Sequence, residues 1–406
     1  MNRRWLKLAA ALSCTAAVLA AVVLRNRPAE AATEAVQPLV EATSKFVVEP
    51  YLQFATRTQM TVMWETEVPC SAIVEYGAVY PPKQIAKFEK PDTMGEVLLA
   101  KLEPNTKYFY RVVCSDAEGG RLVSKESTFL TAVEPGDAFS FTIIGDTQRN
   151  PTITSKLAKF MWERRPNFVV HCGDVVDDGA AKSQWTGDLL GSCHELFSRV
   201  PVYPCIGNHE KNHANYYKYF SLPAPEYYYS FRYGDAEFFV LDTNTNRTLG
   251  LLPGGEQYQW LEKSLAASSA KWKFCYHHHP AYSSDADDFG NTAKGPSTGG
   301  DLRVRQLVPL YEKYKVDIVF NGHVHTYERT WPIKSGKVNQ KDGVAYITSG
   351  GGGGPLEDVA PTPTFFKQEG RVDYHYCYVA IQAGTLSFKA FDQENRLFDH
   401  FTLKKE

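Results

Sequence analysis

The 406-residue sequence has little net charge of either sign: 44 Lys and Arg stand against 46 Asp and Glu, a formal net of −2. That excludes the basic footprint of a nucleic-acid binder or of a protein drawn to anionic membrane. Its eight cysteines include no CxxC pair, so the spacing of a structural zinc site is missing. No internal repeat is evident. The glycine run Gly350 to Gly354 lacks the GK[ST] of a phosphate-cradling loop and reads instead as a flexible loop after a strand, bordering whatever cleft lies there.

One long uncharged apolar run, Leu8 to Leu24, follows Arg3, Arg4 and Lys7 and precedes the small-residue cleavage site Ala29-Glu30-Ala31. Residues 1–31 are therefore expected to be an export signal, which places the mature chain in a secreted or periplasmic compartment. At about 17 residues the run is near the lower limit for crossing a bilayer, so an uncleaved N-terminal membrane anchor is the alternative. Without residues 1–31 the chain keeps 39 basic against 45 acidic side chains and seven cysteines. An odd number leaves at least one free thiol, and Cys172, Cys205 and Cys275 lie in strand-like apolar runs where a buried unpaired cysteine is the ordinary expectation.

The length exceeds the roughly 100–200 residues of one domain, and two are expected. Residues 32–45, rich in Ala, Glu and Pro, read as a linker. Residues 46–133 carry short β-like runs (60–65, 71–76, 107–114, 126–131) between polar turns and no helix, which predicts a small all-β sandwich with Trp64 in its core. Leu102, Pro104, Thr106 and Tyr108 resemble the fibronectin type III signature, which implies a tyrosine corner. From 138 to 406 apolar runs (139–144, 167–172, 201–206, 236–241, 272–276, 316–320) alternate with helix-length segments (151–164, 181–198, 255–269, 301–315), an α/β pattern. Late runs at 344–349, 376–382, 386–391 and 397–403 look antiparallel, which makes the sheet mixed.

Five of these strand ends carry metal-ligand residue types: Asp146 in GDTQ, Asp174 and Asp177 in GDVVDDG, Asn208 and His209 in GNHE, His278 in HHHP, and His323 with His325 in GHVH. Singly, an Asp after a strand is a turn former or helix cap and a lone His is a hydrogen-bonded structural residue. Jointly, imidazole with carboxylate suits zinc, manganese or iron, and a carboxylate can bridge two such ions.

With GNHE followed by GHVHTYER, the chain resembles the calcineurin-like metallophosphoesterase superfamily. The β-sandwich in front makes the nearest resemblance its purple acid phosphatase branch, over about residues 46–404. The resemblance implies an α-β-β-α catalytic sandwich and a dinuclear centre. Asp174 would bridge, Asp146 and His325 would hold the first ion, and Asn208, His278 and His323 the second. It also implies hydrolysis of small phosphorylated substrates, phosphomonoesters first and phosphodiesters as the alternative, by an activated hydroxide, with His209 as the acid. His278 stands two residues before Pro280, as the family ligand does, and strand alternation would turn His277 and His279 to the opposite side.

Three positions depart from that pattern. Where purple acid phosphatases have a tyrosinate three residues after the bridging aspartate, this chain has Asp177; two divalent ions and no purple colour are expected, and Asp177 is expected to orient His209 as in GDxxD relatives. Gln148 stands where the wider superfamily often has a metal-binding histidine; it either ligates the first ion or touches substrate or water. The substrate histidines of the family are not visible after Pro280, where Tyr282-Ser283-Ser284-Asp285 leads into a polar loop. Tyr282, Tyr327 and Arg329 flank the motifs and are candidates to line the cleft.

Overall fold

The computed structural model describes residues 44–285, 298–358 and 364–406. The expected export segment and nearly all of the expected linker lie outside them, as does most of the polar loop after Asp285. No helix among the described residues is long and apolar enough to cross a membrane.

The first region is all β: β1 (Phe46–Gln53), β2 (Gln59–Gly77), β3 (Gln84–Ala100), β4 (Lys107–Ser115), β5 (Arg121–Val123) and β6 (Ser127–Leu130). The runs expected at 60–65 and 71–76 are a single 19-residue strand, β2. Its register against β3 slips between Glu65 and Cys70 and again before Ala72, so irregular pairing carries the strand through a polar stretch that reads as a turn. Trp64 is buried, and its ring is possible only because its cross-strand partner is Gly95, where a Cβ would stand 2.1 Å from the indole. Tyr108 Oη accepts the Glu103 N–H at 2.9 Å, closing the expected tyrosine corner.

The second region runs β7 (Phe139–Ile144), α1 (Pro151–Glu163), β8 (Phe168–His171), α2 (His194–Phe197), β9 (Val202–Pro204), α3 (Ala214–Tyr219), β10 (Tyr229–Tyr233), β11 (Ala236–Val240), α4 (Thr248–Leu251), α5 (Glu256–Ala267), β12 (Trp272–Tyr276), α6 (Val308–Lys313) and β13 (Ile318–Asn321). It continues through β14 (Tyr327–Thr330), the hairpin β15 (Ile333–Lys334) and β16 (Lys337–Val338), then β17 (Ala345–Ser349), β18 (Lys367–Arg371), β19 (His375–Gln382), β20 (Thr385–Asp392) and β21 (Leu397–Lys404). α1 starts where its sequence dictates, with Asn150 Oδ1 capping the Ile153 N–H and Pro151 in the first turn. The helix expected over 181–198 is a π-helical segment, Gln184–Gly191, followed by the short α2; that expected over 301–315 is a 3₁₀ turn, Val304–Leu307, leading into α6.

Apart from the β15–β16 hairpin these strands form two sheets, one in the order β21-β20-β19-β7-β8-β9-β1-β2-β4-β5, with β3 paired to β2 and β6 to β4, and one in the order β10-β11-β12-β13-β17-β14-β18. β7, β8 and β9 are mutually parallel, as are β11, β12, β13 and β17. The run at 344–349, expected to be antiparallel, is β17, antiparallel to β14 on one side and parallel to β13 on the other. Aromatic side chains from both sheets fill the space between them: Phe141 and Phe168 stack at 5.0 Å, and Phe238, Phe274 and Phe320 meet Phe141 edge-on. All seven described cysteines are buried and none is in a disulfide.

The all-β region is packed hard against the α/β region. β1 reaches β9 at Gln53 and Val202, and buried tyrosine hydroxyls cross the junction: Tyr51 to the Tyr219 carbonyl at 2.8 Å, Tyr110 to that of Ser198 at 2.7 Å, and Tyr203 to that of Ala55 at 2.7 Å. Glu65, buried, takes Lys218 Nζ at 2.7 Å, Lys182 Nζ at 3.0 Å and Tyr219 Oη at 3.0 Å. A buried carboxylate is tolerated only with such partners.

Candidate metal centre

Parallel strands deliver the loops at their C-terminal ends to one edge of a sheet. Here the loops that follow β7, β8 and β9 carry Asp146, Asp174 and Asn208, and those that follow β12 and β13 of the facing sheet carry His278 and His323. Face-to-face packing brings the two sets together. All six expected ligands meet, with Asp146, Asp174 and His278 fully or almost fully buried. His278 Nε2 lies 3.1 Å from Asp174 Oδ2 and 3.0 Å from Asn208 Oδ1; His323 Nδ1 lies 3.1 Å from Asn208 Oδ1 and 3.2 Å from His278 Nε2. His325 Nε2 faces Asp146 Oδ1 at 3.6 Å.

The sharp turns are made by the ligands themselves. Asp146, Asp174 and His323 all have positive φ, at 58°, 51° and 72°. Such conformations cost of order 1–3 kcal/mol each and persist where the surroundings enforce them. The motif glycines mainly make room: a Cβ on Gly207 would stand 2.2 Å from Asp174 Oδ1, and one on Gly322 2.4 Å from Asp146 Oδ2. Only Gly173, at φ 89°, also needs the left-handed backbone.

The donor set has the chemistry of a cation site. His278 Nδ1 donates to the Cys172 carbonyl at 2.9 Å and His325 Nδ1 to that of Pro355 at 2.7 Å, which turns both Nε2 atoms toward the other candidate ligands. Asn208 Oδ1 and Asp174 Oδ2, also acceptors, sit against His278 Nε2. Gln148 repeats the pattern. With its amide oriented so that the nitrogen donates to the carbonyls of Asp174 at 2.9 Å and Asp146 at 3.2 Å, its Oε1 accepts from His325 Nε2 at 3.1 Å, which places an oxygen donor beside the imidazole. Burial, then the neighbouring Asp174, pushes the Asp146 carboxyl up. Asp174 is driven the other way: burial opposes ionisation, but His278 and His209 outweigh it. Two acids this close, fitted with imidazoles, suit cations and little else.

His209 stands at the rim. Its Nδ1 donates to the Asp177 backbone carbonyl at 2.7 Å and is 3.2 Å from the Asp177 carboxylate, while its Nε2 lies 3.9 Å from Asp174 Oδ2. The expected orienting carboxylate is therefore the second of two acceptors on one residue, and it is shared: Arg149 Nε donates to it at 2.5 Å. Nothing in the sequence singled out Arg149.

Residues 139–327 match the family described as calcineurin-like phosphoesterase, and residues 47–131 match that described as the purple acid phosphatase N-terminal domain. The chain thus carries a calcineurin-like phosphoesterase domain behind a purple acid phosphatase N-terminal domain. It is 28% identical over 382 residues to an Arabidopsis thaliana protein described as probable inactive purple acid phosphatase 1, covering 80% of this chain and 60% of that one. It is 28% identical over 354 residues to acid phosphatase type 7 of Danio rerio, covering 76% and 77%. The chain thus spans about 60% of the length of the first of these relatives. A purple acid phosphatase structure from yellow lupin seeds shares the fold at a TM-score of 0.77 and 22% identity, covering 88% of this chain and 74% of that one.

Other parts of this phosphoesterase-family chain differ from expectation. His277 is turned away, its ring bonded to Asn321 and stacked near Tyr311. His279 is not: the chain leaves the strand at Tyr276, alternation ceases to apply, and its ring lies 4.3 Å from that of His323 with Nδ1 on Thr243 Oγ1. Arg329 and Tyr327 face away from the site and hold Asp399. Tyr282 packs on Tyr346 and Phe366. The five glycines 350–354 are buried rather than free: Gly352 and Gly354 donate to the carbonyls of Gly145 and Asp146 at 2.9 and 2.8 Å. Glu210, in GNHE, was also missed. Its carboxyl takes the N–H groups of Gly207, Asp174 and Val175, tying the second and third ligand loops together, and burial followed by Asp174 raises it to about 8.

Proposed function

We propose that the chain hydrolyses small phosphoesters, phosphomonoesters first, using a pair of divalent ions such as iron, zinc or manganese. The observation that carries this reading is the convergence of two carboxylates, an amide and three imidazoles from separate strand ends, with donor atoms of Asp146, Asp174 and His278 within 4.8 Å of one another and Asn208, His323 and His325 against them. Asp146, His325 and Gln148 would hold the first ion, Asn208, His278 and His323 the second, and Asp174 both. Such a pair clamps the phosphoryl oxygens and supplies a hydroxide at neutral pH.

The remaining work falls to side chains of this chain. Because Asp177 retains the Nδ1 proton of His209, the acid that protonates the departing oxygen from Nε2 is the imidazolium, and the Asp177 carboxylate stabilises that charge. Two carboxylates in the ligand shell leave roughly +2 against two divalent ions, which a phosphate dianion neutralises.

A second reading, a binding protein with an idle centre, is favoured by relatives described as probable inactive. One preparation decides between them, assayed for bound metal and for hydrolysis of p-nitrophenyl phosphate and of its bis-ester, beside Asp174→Asn. The proposal expects about two ions per chain, faster turnover of the monoester, and joint loss of metal and activity in the variant. Bound metal with no hydrolysis of either ester would favour the binding protein, and faster diester turnover would make the chain a phosphodiesterase.

A further inference from the structure

The junction between the all-β and α/β regions holds a second cavity, at the opposite ends of β8 and β9 from the candidate metal centre. Its volume is about 500 Å³, and its polar lining is Lys107 and Thr128 from β4 and β6, Arg165 and Asn167 from the α1–β8 connection, and Arg199 from the α2–β9 connection. No carboxylate lines it. Among the described residues none of Lys107, Arg165 and Arg199 has an acidic partner, whereas nine of the fourteen described arginines do.

The cations are also held close together. Arg165 and Arg199 both lie over the ring of Trp162, at 3.8 and 5.3 Å from its centroid. Arg199 is fixed by bonds to the Glu195 carbonyl at 2.6 Å and Ser198 Oγ at 3.3 Å. Ser198 is itself anchored to the junction, its carbonyl accepting from Tyr110 Oη and Ser127 Oγ. Arg165 takes a left-handed backbone, φ 53°, uncommon for a residue with a Cβ. Two guanidiniums gathered on one indole repel each other, and a bound anion would relieve that repulsion. Guanidinium pairs match the oxygens of a tetrahedral oxyanion.

We propose that this junction cleft binds a phosphate-type anion of at least two charges, either free phosphate or the diphosphate group of a larger molecule. The site is separate from the metal centre by at least the length of β8, about 13 Å at 3.3 Å per residue. It does not depend on the hydrolytic reading.

Titration calorimetry of the full chain with inorganic phosphate and with methylenediphosphonate, which resists hydrolysis, tests it. The wild type is expected to show a binding event that Arg165→Ala/Arg199→Ala weakens at least tenfold and Lys107→Ala weakens less. The same event should persist in Asp174→Asn. Tighter binding of the diphosphonate would assign the cleft to diphosphate groups, and equal binding to free phosphate. Isotherms identical in wild type and double variant, or loss of all anion binding in Asp174→Asn, would overturn the proposal. Lys107→Ala, a change on an exposed strand position, provides the reading should the double variant fail to fold.

Discussion

His209 keeps its Nδ1 proton between two oxygens of one residue, the nearer being a backbone carbonyl that no substitution removes. Asp177→Asn should therefore leave the tautomer intact and lower kcat no more than about tenfold, while His209→Ala should cost about 10²–10⁴. Steady-state kinetics on p-nitrophenyl phosphate check both values; equal losses would mean that the carboxylate alone orients the ring. Residue identity was the most legible level of this site, because five strand ends carried ligand types in order and all six expected ligands meet. Gln148 stayed open in the sequence because an amide is ambiguous until its neighbours are known. Its orientation follows from two backbone carbonyls, those of the candidate ligands Asp146 and Asp174. Arg149 gave no signal, since a cation beside a motif ordinarily faces solvent.

Between the elements, the loops are held by groups that local patterns do not reveal. Gly350 packs so that an added Cβ would stand 2.1 Å from the Val324 carbonyl and 3.0 Å from Asp146 Oδ2, and one on Gly354 would stand 2.7 Å from His325 Cε1. Gly350→Ala must push the His323–His325 loop outward. It should weaken metal binding by about tenfold or more, the size of effect seen when groups supporting ligands are lost. Competition with a chelator measures this; unchanged affinity would mean that the glycine strap is incidental to the centre. A glycine run looks the same whether it is loose or packed, so only the structure shows it buried. The parallel pairing of β17 with β13 was hidden for a similar reason. Its five residues are all buried, and a strand covered on both faces has the same apolar run in either direction. β3 was missed because most of its first half is exposed and polar, with no alternation to read.

Across the molecule, the two sheets are joined by the buried pair Arg329–Asp399, which ties β14 to β21 with Nε and Nη2 at 2.7 and 2.8 Å and adds Tyr327 Oη at 2.5 Å. Asp399→Ala leaves a buried guanidinium unpaired and should cost about 3–5 kcal/mol in urea denaturation at pH 7. Burial acts against ionisation of Asp399, yet Arg329 and Tyr327 outweigh it and hold the carboxyl below its ordinary range. A depressed carboxylate stabilises above its unfolded pKa of about 3.9, and that contribution disappears as pH falls through the folded value. The deficit of the variant should accordingly shrink on going from pH 7 to pH 3; a constant deficit would mean that the pair contributes through packing alone. The central claim remains that facing strand ends from these two sheets enclose two cations. Anomalous diffraction from crystals grown with manganese tests it most directly. The account predicts two peaks roughly 3.5–4 Å apart, the separation of two-metal hydrolases, with Asp174 between them, Gln148 beside the first and Asn208 beside the second. A single peak, or none within bonding distance of Asp174, would contradict it.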